Sequence, residues 1–522
     1  MNDLLLITGA DSLLAHHAIE ALRHTRRIRA VDLRLDRALP EGVEGRTGDL
    51  RDLAFTQAIC DGVADVIHLA PLYTRLERDE ASLDHATRGT FQLMDAAAKS
   101  GARRVVLGSA LALFADTPAQ FRVDEGWRPR PTPRLDDLCA WLAELGVREM
   151  TRSTRISAVC LRLGQVVDDD AAGQPFDPMW VHADDAVAAI QAALTHPTDG
   201  WFIVHVPSAD PRARFQFTRT PEEFAFAPRR NFAGHAASRA SAPPTRPSPI
   251  SPRPAIRKVA LLGAGGPLAA ATARELAPDY VLRLADLKPV EEILATGQPQ
   301  SPGAPMPEAP QPPHTWRVMD VRDPAQVMTA CEGMDAIINC TVLRNDPTDA
   351  FLVNTIGAYN VMRAAVAHGI PRVVHTGPFM LGARDRTGYD WDHDIVDDVP
   401  PRPGKDWVYL MSKYFGQEIC RIFAEHYGLV VPTLTFCQFV EPTTLYGSRI
   451  HPLAISWGDA ARAIRCALEV GELPAPFEYF HIGADLPHGV FRNDKAKRLL
   501  GWRPRDTLEA HYAAGRKTAS PQ

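Results

Sequence analysis

Residues 4–15 read LLLITGADSLLA and residues 259–269 read VALLGAGGPLA, so one pattern occurs twice in a chain of 522 residues. Each stretch predicts a buried β-strand, a tight turn that begins at a glycine, and the first turn of a helix. In each half the next apolar strand ends in an acidic residue, Asp32 or Asp286. A glycine turn lets the backbone approach a pyrophosphate, the helix start offers it N–H groups, and the carboxylate can bind a ribose hydroxyl. The sequence therefore predicts two dinucleotide-binding units in tandem.

Further segments of the two halves match in the same order. The matching pairs are 48–52 and 319–323, 65–70 and 335–340, 89–97 and 357–365, 103–109 and 371–377, and 181–187 and 455–461. Strands alternate with helical stretches throughout, which predicts a doubly wound parallel sheet in each half. We therefore predict an α/β fold of two tandem Rossmann-type domains, each with a small C-terminal substrate-binding portion.

The composition changes at two places along the chain. Residues 231–255 are rich in Ser, Ala, Pro and Arg and lack apolar periodicity, which predicts a flexible linker between domains at 1–230 and 256–522. Residues 296–313 form a second Pro-rich patch inside the second half. We expect this patch to be a disordered loop insertion.

Charge and cysteine content exclude several classes of function. The net charge of -6 gives no broad basic surface for nucleic acid, and no apolar run is long enough to span a bilayer. The 8 cysteines form neither a CxxC pair nor a Cys/His cluster. We expect a cytoplasmic protein with reduced thiols and no metal site, and a small molecule as its substrate.

Two motifs in the second half carry a family resemblance. Residues 409–413 read YLMSK and residues 493–504 read NDKAKRLLGWRP. These motifs follow a glycine turn and an acidic strand end. With this combination the chain resembles the extended short-chain dehydrogenase/reductases, the NAD-dependent epimerase/dehydratase group. The resemblance covers both halves apart from the linker and the insertion. It implies an NAD(P)-dependent oxidoreductase or epimerase that acts on a hydroxyl or carbonyl compound, with nucleotide sugars as one substrate class.

The candidate catalytic residues lie in the second half. Tyr409 and Lys413 are four residues apart, so they share one face of a helix, and the ammonium favours the phenolate. The tyrosine can then exchange a proton with a substrate oxygen. The family usually has Ser or Thr at the position of Gly377; the adjacent Thr376 is a candidate hydroxyl donor, although neighbours on a strand point to opposite faces. By resemblance, Asn354 supports the active site.

The resemblance also implies cofactor contacts in both halves. The candidates are Gly263, Gly266, Asp286, Asp320, Val321 and Lys413 in the second half, with Gly9, Asp32 and Asp49 in the first. An aspartate at the strand end favours NAD, because it binds the 2′-hydroxyl and repels a 2′-phosphate. Arg34 and Lys288 lie two residues beyond these aspartates and leave NADP open.

The first half departs from the pattern and is predicted to be a degenerate copy. Ser109 matches the family's catalytic serine, but Trp141 and Leu145 stand where the tyrosine and lysine should be. Ser12 replaces the second glycine and would crowd a backbone that must approach a pyrophosphate. By resemblance, such proteins dimerise through the tyrosine-bearing helix. We predict that the two halves make this contact within one chain, as an intramolecular pseudodimer.

Two other functions stay open at this point. One is a non-catalytic NAD-binding scaffold or redox-sensing protein, which the missing hydroxyl at Gly377 favours. The other is a site shared by both halves and completed by Ser109. The substrate-binding portion is expected after Leu434 and around residues 446–449.

Overall fold

The structure is a computed structural model that describes residues 4–118, 120–171, 173–236, 250, 255–296, 299, 301–378, 408–445, 450–487 and 491–511. The chain divides into two compact units, Met1–Thr245 and Arg246–Gln522, called unit 1 and unit 2 below. Among the residues just given, no helix has both the length and the apolar character needed to cross a membrane.

Unit 1 alternates strands and helices. Its strands are β1 Leu4–Thr8, β2 Arg27–Asp32, β3 Glu44–Thr47, β4 Val63–His68, β5 Arg104–Ala110, β6 Ser157–Leu163, β7 Gln165–Val167, β8 Trp180–His182 and β9 Trp201–Val206. Its α-helices are α1 Leu13–Leu22, α2 Leu53–Cys60, α3 Ala70–Tyr73, α4 Asp79–Asp84, α5 Thr90–Lys99, α6 Leu135–Thr151 and α7 Ala183–Thr195.

Unit 2 repeats this order of elements. Its strands are β10 Lys258–Leu262, β11 Val281–Asp286, β12 Thr315–Val318, β13 Ala336–Asn339, β14 Arg372–Pro378, β15 Val431–Phe436, β16 Gln438–Val440, β17 Ala454–Ser456 and β18 Phe477–His481. Its α-helices are α8 Pro267–Leu276, α9 Val290–Ala295, α10 Pro324–Cys331, α11 Pro347–Phe351, α12 Gly357–Ala367, α13 Val408–Tyr427, α14 Trp457–Glu469 and α15 Asp494–Leu499.

Each unit is built around one seven-stranded parallel sheet. The strand orders are β3-β2-β1-β4-β5-β6-β9 and β12-β11-β10-β13-β14-β15-β18. A two-stranded parallel pair, β7-β8 or β16-β17, accompanies each sheet. The predicted α/β fold of two tandem Rossmann-type domains is confirmed. In such a sheet the strand order reverses beside the first strand, and ligands bind in the crevice at the carboxyl ends there.

The sheets are buried on both faces, which explains the apolar runs in the sequence. All five residues of β1 are buried, as are the last four of β10, because helices cover both sides of a parallel sheet. Helix α8 begins at Pro267, whose missing N–H would have no partner in the first helical turn.

The structure places the start of the linker later than predicted. Phe232 is buried in unit 1, where its ring stacks on Phe176 at 5.3 Å between centroids. The Phe232 N–H donates to Asp210 at 3.0 Å. These contacts fix residues inside the predicted linker at 231–255. Residues 237–249 and 251–254 of that segment lie outside the described residues.

The Pro-rich insertion makes defined contacts at particular positions, and there the prediction of a disordered loop at 296–313 is wrong. Ala304 is 6% exposed and belongs to an apolar cluster with Ala271 and Trp457. The Arg274 guanidinium pairs with Glu308 at 2.7 Å. The insertion is therefore held by burial and by an ion pair, which its composition did not indicate.

Candidate active site

The first glycine of each turn has a backbone conformation that excludes a side chain. Gly9 and Gly263 have φ of 73° and 80°. A Cβ at Gly263 would lie 2.9 Å from the backbone of Cys340, and one at Gly9 would lie 2.7 Å from the Ala70 nitrogen. The turn packs against the end of the neighbouring strand in both units, and only glycine permits this approach.

The acidic strand ends lie beside these turns. The Gly265 N–H donates to the Asp286 carboxylate at 2.8 Å, and the Asp11 N–H donates to Asp32 at 3.1 Å. A Cβ at Gly265 would lie only 3.0 Å from an Asp286 oxygen. Each carboxylate is thus fixed at the switch point, where a ribose hydroxyl binds in this fold.

The two helix starts differ in a way that affects anion binding. In unit 1 the Ser12 hydroxyl accepts from the Ala15 N–H at 3.2 Å and donates to the Gly9 carbonyl at 2.7 Å. In unit 2 the equivalent residue, Gly266, provides no side-chain cap for α8. The first-turn amides of α8 are therefore available to a pyrophosphate, whereas Ser12 takes one of them in α1.

An apolar cavity of about 440 Å³ lies next to Asp286. Asp286, Leu287, Asp320, Val321 and Val342 are among the residues that line it. Leu287 and Val342 are exposed although their side chains are apolar. Such a surface can pack against the planar base of a dinucleotide. Burial acts to raise the pKa of Asp320, but hydrogen bonds from Arg322 outweigh it and hold the pKa below its ordinary value. The cavity, the carboxylate and the glycine cradle together fit a dinucleotide.

A second cavity of about 520 Å³ adjoins the same glycine turn. Its lining includes Gly263, Gly266, Thr376, Tyr409, Lys413, Arg344, Phe439 and Trp457. The structure thus brings the predicted catalytic residues together with the predicted cofactor turn. Phe439 and Trp457 stack at 4.5 Å with nearly parallel rings and form an aromatic wall. Residues 446–449, predicted to bind substrate, lie outside the described residues.

Lys413 is buried and is held by backbone carbonyl groups. Its ammonium donates to the Thr341 carbonyl at 2.9 Å and to the Thr376 carbonyl at 3.3 Å. Burial lowers the pKa of Lys413 to about 8, because a charged group is poorly solvated there. The lysine therefore ties α13 to the ends of two sheet strands.

Tyr409 is 6% exposed, one turn before Lys413 on α13. Burial raises its pKa, while the charge of Arg344 and a hydrogen bond from it act in the opposite direction. The Arg344 guanidinium carbon lies 5.5 Å from the centre of the Tyr409 ring. The sequence analysis did not single out Arg344, because nothing local marks a loop residue 65 positions before the tyrosine as its neighbour.

The Thr376 hydroxyl points away from the role proposed for it. It donates to the Asn339 carbonyl at 2.9 Å, so its proton is not available to a substrate. Gly377 follows on β14 and leaves space beside it: a Cβ there would lie 3.6 Å from the Thr435 methyl group. The hydroxyl that the family usually has at this place is therefore not replaced by Thr376.

Asn354 fixes the loop that carries Arg344. Its amide group donates to the Leu343 carbonyl at 2.7 Å, and its oxygen accepts from the Leu343 N–H at 3.2 Å. The same amide group donates to the Ser412 hydroxyl at 3.0 Å on α13. Asn354 thus links the loop after β13 to the tyrosine-bearing helix.

In unit 1 the place of the active-site hydroxyl is held by Ser109, and a buried ion pair engages this serine. Ser109 pairs with Arg162 across the sheet, as Gly377 pairs with Thr435 in unit 2. The Ser109 hydroxyl donates to Glu144 on α6, and the Arg162 guanidinium donates to the same carboxylate at 3.0 and 2.8 Å. The serine is therefore engaged within its own unit.

The predicted loss of the catalytic pair in unit 1 agrees with its structure. Helix α6 contains neither Tyr nor Lys, and Trp141 and Leu145 are buried. The Thr74 hydroxyl donates to the Asp32 carboxylate at 3.3 Å, and burial raises the pKa of Asp32. Asp49 is engaged by Arg51 at 2.6 Å. Arg322 engages Asp320 of unit 2 in the same way at 2.7 Å, so of these contacts the Thr74 bond to Asp32 is the one that distinguishes unit 1.

Unit 2 combines a Rossmann-type sheet with a tyrosine and a lysine on one helix, beside the glycine turn. The model of the family described as "NAD dependent epimerase/dehydratase family" matches residues 5–175 and 262–486, which is more than half of the chain. The chain belongs to this family. Membership confirms the predicted family and the predicted class of cofactor, NAD.

Individual proteins similar to this chain have low sequence identity to it. The uronate dehydrogenase of Agrobacterium fabrum is 27% identical over 204 residues, which cover 39% of this chain and 73% of that protein. The L-arabinose 1-dehydrogenase (NAD(P)(+)) of Haloferax volcanii is 27% identical over 210 residues, covering 36% and 81%. The solved uronate dehydrogenase from Agrobacterium tumefaciens is 25% identical, covers 49% of this chain and 86% of its own, and gives a TM-score of 0.39.

Proposed function

We propose that unit 2 is an NAD-dependent dehydrogenase that oxidises a hydroxyl group of a sugar or sugar acid, with Tyr409 as its acid/base group. The observation that carries this proposal is a shared cavity: Tyr409 and Lys413 line the same space as the glycine turn at Gly263 and Gly266. A substrate in that space can reach both the phenol and a cofactor bound at the turn.

The residues of unit 2 have distinct parts in this reaction. When bound, NAD supplies the nicotinamide that takes the hydride from the substrate carbon. The Tyr409 phenolate takes the proton of the substrate hydroxyl, so a carbonyl group forms at that carbon. Lys413 holds α13 against the carboxyl ends of β13 and β14, where its ammonium binds two carbonyl oxygens.

The surroundings of Asp286 support NAD over NADP. Its carboxylate is fixed by the Gly265 N–H, where it repels a 2′-phosphate. Lys288, the nearby cation that left NADP open, forms an ion pair with Glu292 one helical turn away. A lysine engaged in this way is less available to neutralise a phosphate.

The cavity lining supports a carbohydrate substrate. The stacked pair of Phe439 and Trp457 offers an apolar wall for the C–H face of a sugar ring, and Arg344 offers donors for its oxygens. The relatives named above are a uronate dehydrogenase and an L-arabinose 1-dehydrogenase. We therefore place free sugars and sugar acids before nucleotide sugars as candidate substrates.

One observation favours the alternative of a non-catalytic NAD-binding scaffold or redox sensor. Gly377 has no hydroxyl, and the Thr376 hydroxyl donates to Asn339. A site without this donor polarises a substrate oxygen less well. The third hypothesis, a shared site completed by Ser109, has less support, because the Ser109 hydroxyl binds Glu144.

The test combines cofactor binding with turnover on the full chain. Calorimetric titration with NAD and with NADP is followed by NADH formation with a uronate, L-arabinose and a nucleotide sugar. We expect Tyr409→Phe to lose turnover at least about hundredfold while NAD affinity changes little, since the phenol acts in proton transfer. Tyr280→Phe is the matched control, because the Tyr280 hydroxyl binds Glu469 outside the cavity.

Each outcome decides between the functions. NAD binding without turnover on any substrate class, together with an unchanged ligand response in Tyr409→Phe, would support the scaffold. Failure to bind either cofactor would contradict the enzyme and the NAD-binding scaffold alike.

A further inference from the structure

A cation close to the Tyr409 ring lies on a loop, outside the tyrosine helix. The Arg344 guanidinium carbon lies 5.5 Å from the ring centre, and both side chains line the cavity of about 520 Å³. Lys413, the cation that the sequence pattern implied, directs its ammonium to the carbonyl groups of Thr341 and Thr376. Arg344 therefore lies against the tyrosine ring, whereas Lys413 binds backbone carbonyl groups.

The position of Arg344 is fixed by the fold. It follows β13 by five residues, and the residue before it, Leu343, is held through both its N–H and its carbonyl by Asn354. Asn354 also binds Ser412 on α13. The loop therefore presents Arg344 to the same helix that carries Tyr409. The Arg344 guanidinium reaches the space around the Tyr409 ring and lines the cavity of about 520 Å³.

We propose that Arg344 is a positioning residue that stabilises the phenolate of Tyr409 and so sets the pH range in which unit 2 works. This inference rests on the proposed function of Tyr409 as the acid/base group. A guanidinium stays charged at any pH at which the protein is folded, whereas burial lowers the pKa of Lys413 to about 8. Arg344 thus supplies the more constant positive charge.

Cys437 and Lys413 also lie near Tyr409, and neither has the same effect on its pKa as Arg344. The Cys437 thiol, just after β15, acts to raise the pKa of Tyr409 when it ionises. Burial raises the pKa of Cys437 itself to about 12, so the thiol is neutral in the working range. Lys413 lies one turn away on α13 and is held by carbonyl groups. Burial is the largest influence on the pKa of Tyr409 and Arg344 opposes it, so removal of Arg344 takes away an influence that lowers this pKa.

The experiment compares the pH profile of turnover in three variants of the full chain. We expect Arg344→Gln to move the acid limb of the kcat profile for oxidation up by about one pH unit, which is about tenfold in rate on that limb. Arg344→Lys should restore most of this shift, because it restores the charge. Arg317→Gln on β12 removes a charge outside the cavity lining and should leave the limb unchanged.

A second readout needs no turnover. Ultraviolet difference titration of tyrosinate, with Tyr409→Phe as the subtraction, reports the phenol directly in cofactor-free protein. We expect its midpoint to rise in Arg344→Gln and to return toward the wild-type value in Arg344→Lys. An unmoved midpoint in Arg344→Gln, or an equal shift in both variants, would overturn the proposal. If wild-type protein oxidises none of the substrates, the proposed function fails, while this titration still decides the role of Arg344.

Discussion

Lys413 shows how one residue of unit 2 combines burial with charge. The residue is 3% exposed, and its ammonium donates to two carbonyl groups, those of Thr341 and Thr376. Burial lowers the pKa from 10.5 to about 8, so the folded chain disfavours the protonated form. Such a residue serves the site at some cost in stability.

Because of this cost, we expect the free energies of unfolding of the wild type and of Lys413→Met to differ by an amount that depends on pH. Between about pH 8 and 10.5 the unfolded chain binds the lysine proton and the folded chain does not, so the free energy of unfolding of the wild type rises with pH there. We expect the stability of the variant relative to wild type to be greatest at pH 7 and to fall by about 3 kcal/mol across this window. Urea unfolding at a series of pH values measures the difference.

The control is Lys288→Met, since Lys288 lies on the surface in an ion pair with Glu292. This variant shows what the loss of a surface lysine does to the free energy of unfolding under the same conditions. A flat profile for Lys413→Met would contradict the lowered pKa. Lys413→Met should also lose turnover, which separates its role in the site from its effect on stability.

At the residue scale, the sequence predicted what local spacing determines. Tyr409, Lys413 and Asp286 follow from a helical interval and from a strand end, and the structure places all three at the cavities beside the glycine turn. Arg344 could not be predicted, because it lies on a loop 65 residues before Tyr409, and the Glu144–Arg162 pair could not, because it depends on how α6 packs on the sheet. The direction of the Thr376 hydroxyl did follow from strand alternation.

At the scale of elements, the starts of α1 and α8 are the clearest difference between the units. Ser12 caps α1 with its hydroxyl, and Gly266 leaves α8 without a side-chain cap. A Cβ at Gly266 would have its nearest neighbour, the Gly263 carbonyl, at 3.4 Å, so the protein itself has room for a serine there. The glycine is thus not required by packing within unit 2.

We therefore expect Gly266→Ser to weaken NAD binding at least about tenfold, or about 1.4 kcal/mol, with little change in melting temperature. The new hydroxyl would take the Ala269 N–H, as Ser12 takes that of Ala15, and would enter the space of the pyrophosphate. Calorimetric titration of the wild type should show one NAD per chain. The reciprocal variant Ser12→Gly tests unit 1: a second site in that variant would show that Ser12 alone blocks it, and two sites in wild type would contradict the prediction.

Element boundaries were predicted less well where long-range packing decides them. Proline-rich composition indicated disorder for the insertion in unit 2, yet Ala304 packs beside Trp457, more than 150 residues later. In the same way Phe232 extends unit 1 into the predicted linker through its contact with Phe176. Composition is a property of one segment alone. In these two segments, packing against residues far away in the sequence determined the structure.

At the scale of the whole molecule, the duplication raises the question of assembly. The sequence analysis predicts, from the family resemblance, that the two halves form a pseudodimer within one chain, and this stays a prediction. Such a chain has satisfied its dimer contact internally and should be a monomer. Light scattering at micromolar concentration should therefore give a mass near 57.3 kDa. A mass of two chains that falls on dilution, with exchange between differently tagged chains, would contradict the pseudodimer.

The buried pair of Glu144 and Arg162 makes two positions of unit 1 depend on each other. The two charges neutralise each other and hold the Ser109 hydroxyl, so replacement of either one alone leaves the other buried without its counter-charge, at a cost of about 3–5 kcal/mol. The pair therefore couples helix α6 to strand β6, and we expect a substitution at one of the two positions to need a compensating change at the other.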